Sequence, residues 1–343
     1  MENSVCASDT VKPALEAVRP HLPADTDLTS AEVRQLSGGW SRHSYVVTTV
    51  DRLEQKREFV VRVRPSGALL ETDIGVEYRT YQMVSDEPIP VPRVYGYEDS
   101  ADNPFGGPFF VMDKLDGWAP STWQRDHREL LERNWATSRS IAEDLLDILH
   151  KIHSVPVERC EGVLPRLSYV DVVRYWLSIY EGMRLVRDPI VEEAFSWLLD
   201  RVPVDEHLGL VHGDYRIGNT LIADDRIAGV LDWELAFVGD TRFDLGYMSL
   251  EYLAGKFLRK GSRLLCGTAA REWFMAEYQR RRGVSVDDEV VRTYSVMGAL
   301  MLITILLTGI RYFHDGSTSD IRMAWGRFAI PGLRQDLVHL MGW

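Results

Sequence analysis

The sequence predicts an α+β protein with a small β-rich N-terminal lobe and a larger, mainly helical C-terminal lobe. Between residues 33 and 113, short apolar or alternating segments are separated by turn-forming residues, as the strands of a sheet are. After residue 117, apolar residues recur every three or four positions, which is typical of helices. A strand-like island at 208–231 interrupts the helical part. We therefore expect two domains, residues 1–113 and 114–343.

In the N-terminal lobe the pattern predicts one helix, residues 73–84, because Ile74, Tyr78 and Tyr81 are spaced as on one helix face. Prolines at 88, 90 and 92 end it. The run EFVVRVR alternates as a half-buried strand does. The strands that we expect in this lobe are 33–36, 44–50, 58–64, 94–97 and 108–112.

In the C-terminal lobe, a helix with an apolar face at Ile141, Leu145 and Ile148 should end near His153. Asp244 precedes a helix-like run, and we expect it to cap that helix by accepting free backbone N–H groups. The other predicted helices are 169–184, 188–200, 244–258, 267–282 and 287–313, and the strands of the island are 208–211, 220–222 and 227–231.

Composition excludes several classes of protein. The chain carries 51 acidic and 39 basic residues, a formal net charge of -12, so we expect no nucleic-acid surface, which would be basic. The three cysteines, at 6, 160 and 266, are far apart and form no metal-binding or disulfide pattern. Together with an N-terminus that lacks a signal-peptide core, they favour the cytoplasm.

The run VMGALMLITILLTGI, residues 296–310, is almost wholly apolar. Its 15 residues fall short of the roughly 20 that a membrane-spanning helix needs. We expect a helix buried in the helical lobe, with a dimer interface as the alternative, and no membrane partner. A monomer and a homodimer both stay open.

The most informative segment is HGDYRIGN, residues 212–219, followed by VLDWE, residues 230–234. Phosphoryl transfer needs an acceptor hydroxyl held in line and metal ions across the phosphates. A carboxylate leaving an apolar strand, Asp214, can receive the hydroxyl proton, and Asn219 and Asp232 offer the oxygen ligands that Mg²⁺ prefers. Asp214 and Asn219 are five residues apart, the spacing of the protein-kinase catalytic loop. Ordinary turn residues are the competing interpretation.

These two motifs, with GDTRFDLGY at 239–247, resemble the signature of the aminoglycoside phosphotransferase-like family, which has a protein-kinase-like two-lobe fold. The branch that it is most similar to is the kinase-like domain fused to some acyl-CoA dehydrogenases. The resemblance implies that Asp214 is the catalytic base and that Asn219 and Asp232 bind Mg²⁺. It further implies that His212 supports the catalytic loop by hydrogen bonding. Glu234 is expected either to contact metal-bound water or to be structural.

The N-terminal lobe would then bind ATP or GTP. Gly38, Gly39 and Ser41 follow a strand and would let backbone N–H groups approach the phosphates, although Arg42 stands where relatives often have asparagine. The strand VVRVR lacks the kinase lysine, and the resemblance assigns its role to Arg62, with Arg64 as the alternative and Glu77 as the ion-pair partner. Backbone groups from Met112 to Lys114 would contact adenine.

The acceptor is expected to be a hydroxylated small molecule, and its identity stays open. An aminoglycoside would need clustered carboxylates, for which the sequence offers Glu181, Asp188, Glu192 and Glu193. Two other classes of function compete with an active kinase. One is a kinase-like regulatory protein that binds nucleotide without turnover, favoured only by the exchange of lysine for arginine. The other is a hydrolase, which the lack of GxSxG and HExxH motifs disfavours.

Overall fold

The computed structural model describes residues 8–36, 41–51, 55–65, 68–255 and 261–343. The chain divides into two compact units. The first comprises Met1–Asp86 and Val91–Leu115, and the second comprises Glu87–Pro90 and Asp116–Trp343.

The first unit is built on a five-stranded antiparallel sheet with the order β1-β2-β3-β5-β4. Arg62 on β3 pairs with Ser44 on β2 and with Phe110 on β5, so it lies in the middle of the sheet. The strands are β1 (Thr26–Gln35), β2 (His43–Asp51), β3 (Lys56–Val63), β4 (Val94–Glu98) and β5 (Phe109–Asp113).

The two faces of this sheet differ because side chains alternate along each strand. Phe59, Val61 and Val63 of β3 join a buried apolar cluster with residues of helix α1 (Ser8–Val18). Arg62 points to the other face, which is the side of helix α2 (Ile74–Val84). Asp73 caps α2 by accepting from Gly75 N at 2.8 Å. Helix α1 was not predicted.

The second unit is mainly helical and contains two short antiparallel pairs of strands. Strand β6 (Leu208–Val211) pairs with β9 (Phe237–Asp240), and β7 (Thr220–Ala223) pairs with β8 (Arg226–Val230). The helices are α3 (Arg125–Thr137), α4 (Ser140–His153), α5 (Tyr169–Met183), α6 (Pro189–Leu199), α7 (Arg242–Met248), α8 (Arg271–Arg282), α9 (Asp288–His314) and α10 (Gly326–Met341).

The predicted helix 244–258 was wrong in its extent. Helix α7 begins earlier and ends at Met248, and a 3₁₀ helix (Glu251–Ala254) follows. Gly255 ends this helix in the left-handed conformation, with φ of +73°. Strand β9, which is four residues long, was not predicted.

Helix α9 contains the apolar run. By length and composition it is the one helix among the described residues that could cross a membrane, and 67% of its apolar window is buried inside the protein. It packs against α5, α7 and α10, and its buried residues surround the helix axis. Its burial agrees with the interpretation of this run as a core helix of the helical part.

Candidate active site

The candidate catalytic loop, residues 212–219, connects β6 with β7. Strand β6 is apolar and buried up to Val211, and a 3₁₀ helix (Ile217–Asn219) precedes β7. The polar residues therefore follow immediately after a strand that is fixed in the core, which makes the position of the loop well defined.

Asp214 is held from two sides. Asn219 Nδ2 donates to Asp214 Oδ2 at 2.7 Å and to its backbone oxygen at 2.9 Å. Arg216 Nε donates to Asp214 Oδ1 at 3.0 Å. The Asp214 side chain is 17% exposed, so its carboxylate is oriented by donors on both oxygens and is still accessible to a ligand. The structure thus brings the predicted base and one predicted metal ligand into direct contact.

Tyr247 is a further neighbour of Asp214 that the sequence did not indicate. It is buried on α7, and burial, followed by the charge of Asp214, raises its pKa well above the usual value. The phenol therefore stays protonated, and it can donate a hydrogen bond toward the carboxylate but cannot compete with it as a base.

Arg216 received no role from its sequence position, although it lies inside the motif. Burial would lower its pKa, but the charges of Asp214 and Asp232 raise it, and the guanidinium is fixed as a cation. Its side chain is 33% exposed. A permanent cation beside the candidate base can stabilise negative charge that develops on a transferred group.

His212 connects the catalytic loop with the segment before Asp232. Its Nδ1 accepts from Asp214 N at 3.2 Å, and its Nε2 lies 3.1 Å from the Leu231 carbonyl, to which it donates in the matching tautomer. The imidazole is buried against Trp233 at a ring distance of 4.6 Å. These contacts place His212 where it can support the loop, and its role in positioning Asp214 stays a prediction.

Asp244 is not a helix cap, which corrects the prediction. It lies inside α7, is fully buried, and accepts from His212 N at 2.9 Å, Gly213 N at 3.0 Å and His153 Nε2 at 3.0 Å. The cap prediction was wrong because α7 begins two residues earlier than the apolar pattern indicated. Asp244 instead fixes the backbone at the start of the catalytic loop.

Gly213 is required by the backbone. Its φ is +84°, and a Cβ at this position would lie 2.2 Å from the Leu235 carbonyl oxygen. An L side chain would therefore both strain the backbone and collide with a carbonyl group that cannot rotate away. These two constraints explain why the HGD motif of this sequence has glycine at position 213.

The two predicted metal ligands are joined through the backbone. Leu231 N donates to the Asn219 carbonyl at 2.8 Å, so Asp232 follows directly after a residue paired with Asn219. Because Asn219 Nδ2 faces Asp214, its Oδ1 points away from that carboxylate. Asp232 has a φ of +71°, a conformation that L residues seldom adopt and that clusters at functional sites.

The donor set fits Mg²⁺, which accepts amide and carboxylate oxygens and completes its shell with phosphate and water. Among the described residues, no group of three His, Cys, Asp or Glu side chains could hold a metal by itself.

The predicted phosphate-binding side chains lie in the first unit. Arg62 Nε donates to Glu77 Oε1 at 2.6 Å, so the expected ion pair is present. Arg64 contacts the backbone oxygen of Thr72 at 3.3 Å instead. Gly38 and Gly39 fall outside the described residues, and Ser41 lies at a bend just before β2.

Part of the backbone of residues 112–114, the segment predicted to contact adenine, already pairs with strand β3. Met112 on β5 pairs with Val60, and Lys114 N donates to the Glu58 carbonyl at 3.1 Å. Lys114 Nζ also binds Glu58 Oε2 at 3.0 Å, and this bond lowers the pKa of Glu58. Any contact of Lys114 with adenine would therefore use its carbonyl rather than its N–H group.

Two of the carboxylates expected for an aminoglycoside, Asp188 and Glu192, are paired with arginines. Tyr252 packs on Trp123 at a ring distance of 4.7 Å. Burial raises the pKa of Tyr252 to about 12, although the charge of Arg216 opposes this.

The fold and the site together define a phosphotransferase with a protein-kinase-like architecture. Residues 32–283 match the model of the phosphotransferase enzyme family, and the chain belongs to this family. The match covers most of the chain, including β2 to β5 and the complete catalytic loop. The family resemblance and the α+β fold predicted from the sequence are confirmed.

Relatives known by sequence are longer proteins. Acyl-CoA dehydrogenase family member 10 of Mus musculus is 28% identical over 64% of this chain and 20% of its own length. The probable acyl-CoA dehydrogenase IBR3 of Arabidopsis thaliana is 28% identical over 68% of this chain and 30% of its length. Human acyl-CoA dehydrogenase family member 11 is 26% identical over 66% of this chain and 30% of its own length. This chain thus spans less than a third of each of these three relatives.

Solved structures share the fold. A Ralstonia eutropha JMP134 protein, provisionally assigned as an aminoglycoside phosphotransferase, has a TM-score of 0.72 at 21% identity over 96% of this chain and 98% of that one. Aminoglycoside phosphotransferase APH(4)-Ia, bound to AMP-PNP and hygromycin B, has a TM-score of 0.61 at 15% identity over 96% and 99%. Macrolide 2'-phosphotransferase type I has a TM-score of 0.60 at 15% identity, over 98% of this chain and 99% of that one.

Proposed function

We propose that the protein transfers the γ-phosphoryl group of ATP or GTP to a hydroxyl of a small molecule, with Mg²⁺ and with Asp214 as the base. The observation that carries the proposal is the contact of Asp214 with Asn219 and Arg216 on a loop that Asp244 and His212 hold in place. Side chains that serve only as turn residues would not need this support.

Each residue has a distinct role in the proposed reaction. Asp214 accepts the proton of the acceptor hydroxyl as its oxygen attacks the phosphorus, and the bond from phosphorus to the nucleoside diphosphate breaks. Asn219 and Asp232 would hold Mg²⁺, which when bound screens the charge of the phosphates. Arg216 stabilises charge on the transferred group, and the donors to both Asp214 oxygens keep the carboxylate in one orientation.

The first unit is assigned to nucleotide binding and the second to catalysis and acceptor binding. Arg62, with Glu77 behind it, is proposed to bind the phosphates in place of the kinase lysine, since a guanidinium stays charged and binds phosphate in a bidentate manner. Backbone groups of Met112 to Lys114 are proposed for the base of the nucleotide. The AMP-PNP complex of a protein with the same fold supports this assignment.

Two of the four carboxylates expected for an aminoglycoside site are already paired. Asp188 and Glu192, which could have attracted amino groups, already pair with arginines. Hydroxyacyl compounds are the acceptors to test first, because three relatives that share this module are named acyl-CoA dehydrogenases.

The test is an ADP- and GDP-release screen over hydroxyacyl thioesters, choline, sugars and aminoglycosides, with ³¹P NMR to identify a phosphomonoester product. We expect Mg²⁺-dependent release that one acceptor class stimulates. Binding of Mg·ATP without turnover on any acceptor would favour a regulatory nucleotide-binding protein. Failure to bind either Mg·ATP or Mg·GTP would contradict the proposed function itself.

A further inference from the structure

A chain of buried hydrogen bonds extends from helix α8 to the catalytic loop. Tyr278 of α8 places its hydroxyl 2.7 Å from Nδ1 of His153, and Nε2 of His153 lies 3.0 Å from Oδ2 of Asp244. All three side chains are buried. Asp244 in turn accepts from the two backbone N–H groups at the start of the catalytic loop. Tyr278 is therefore connected with the backbone just before the candidate base, although 125 residues separate it from His153.

The direction of each hydrogen bond follows from the chemistry of the three groups. Both oxygens of the Asp244 carboxylate accept backbone N–H groups, and a carboxylate only accepts, so Nε2 of His153 carries a proton. Burial lowers the pKa of His153 although Asp244 opposes this, so the imidazole is neutral and has a single N–H. Its Nδ1 is then an acceptor, and the Tyr278 hydroxyl donates to it.

The Tyr278 hydroxyl keeps its proton for this bond. Burial raises its pKa to about 12, although hydrogen bonding from Thr241 and the charge of Arg282 oppose the rise. Within the part of the chain that the structure describes, Nδ1 of His153 has no other hydrogen-bond partner. Removal of this one hydroxyl would therefore leave a buried acceptor unsatisfied.

The Asp244 carboxylate depends on this arrangement for its orientation. Its Oδ1 accepts from Gly213 N, whereas its Oδ2 accepts from both His212 N and His153 Nε2. The imidazole thus fixes the plane in which the two oxygens meet two successive amides. The hydrogen bond on the second nitrogen of a histidine sets the orientation of its ring. Here that bond comes from Tyr278.

We propose that Tyr278 is a positioning residue for phosphoryl transfer: through His153 and Asp244 it holds the backbone that carries Asp214. The inference rests on the proposed function, because it assigns Tyr278 a part in the transfer step. The chain of contacts ends at the catalytic loop. Loss of the hydroxyl should therefore lower kcat and leave the affinity for Mg·ATP unchanged.

The experiment compares Tyr278→Phe with Tyr169→Phe. Tyr169 is also buried, and its hydroxyl donates to the Leu198 carbonyl at 3.0 Å, so each variant loses one buried hydrogen bond and keeps its ring. With the best acceptor of the screen, Tyr278→Phe should lower kcat about 3- to 10-fold. Its Mg·ATP affinity should stay within about twofold of the wild type, and Tyr169→Phe should keep both values. An equal loss of kcat in the two variants would indicate a general effect on the fold and would overturn the inference.

Hydrogen exchange of the nucleotide-free protein tests the loop directly. The amides of His212 and Gly213, measured relative to those of α9, should exchange about 3- to 10-fold faster in Tyr278→Phe than in the wild type. In Tyr169→Phe this ratio should change by less than about twofold. Wild-type exchange of the two amides in Tyr278→Phe would overturn the inference.

A double-mutant cycle tests whether Tyr278 acts through Asp244. In the Asp244→Asn background the connection is already broken, so Tyr278→Phe should change kcat by less than about twofold. Independent, additive losses would overturn the inference. Wild-type protein that transfers phosphate to no acceptor would overturn the proposed function and the inference with it. An active wild type together with an unchanged kcat in Tyr278→Phe would overturn the inference alone.

Discussion

Replacing Asp244 by asparagine distinguishes a buried acceptor from a helix cap. Asparagine caps helices about as well as aspartate, so at a cap the exchange would be nearly neutral. In the observed position, the carboxylate accepts from His212 N, Gly213 N and His153 Nε2 without access to water. The amide removes the charge and turns an NH₂ group toward at least one donor, which should cost about 2–4 kcal/mol.

That cost is large, but it falls short of the total stability of a typical domain, about 5–15 kcal/mol, so the variant should still fold. Urea denaturation followed by circular dichroism gives the free energy of unfolding. The matched control is Asp287→Asn, since Asp287 caps α9 by accepting from Glu289 N at 2.8 Å in an exposed position. If the two variants differed by less than about 0.5 kcal/mol, the assignment of Asp244 as a buried triple acceptor would be refuted.

Three further predictions address the rest of the second unit. Gly213→Ala should lower the free energy of unfolding by more than the roughly 1–2 kcal/mol that a left-handed alanine costs, because its Cβ would collide with Leu235. Gly162→Ala is the control, since its φ is +73° but no atom lies within 4 Å of the new Cβ. In the same denaturation assay it should show only the cost of the left-handed alanine. Asp232→Ala should lose the Mg²⁺ dependence of ATP affinity in calorimetry, and full retention would remove Asp232 from the metal site. Burial lowers the pKa of His153, so the unfolded state takes up a proton first as the pH falls below about 6.5, and stability should decline by up to ~1.4 kcal/mol per pH unit. The stability of His153→Gln should decline less steeply over the same pH interval. An identical slope would contradict the assignment of His153 as the buried group with a lowered pKa.

The sequence was most informative where local pattern and chemistry coincide. The ion pair of Arg62 with Glu77 was expected from the family resemblance, and the alternation along β3 agrees with it because it separates Arg62 from the apolar face. The loop from His212 to Asn219 combines an apolar strand with a specific spacing of polar residues, and this made the reaction class predictable.

What could not be predicted depends on contacts between distant segments. Asp244 meets the backbone of His212 across 32 residues, and a boundary error of two residues in α7 was enough to make it look like a cap. Helix α3 was missed because it buries only Arg128, Leu131 and Asn134, too few for an apolar period. Arg42 follows a turn, and turn patterns carry no information about a buried partner such as Glu77.

Asp214 is proposed to be the base of a phosphoryl transfer. The most direct measurement compares kcat on the best acceptor, and Mg·ATP affinity, between wild type and Asp214→Asn. Asp224→Asn, in the exposed turn between β7 and β8, is the control, because asparagine tolerates the left-handed conformation found there. Asp214→Asn should lower kcat by about 10²- to 10⁴-fold with Mg·ATP affinity largely retained. A kcat equal to that of the wild type would contradict the role of Asp214 as the base.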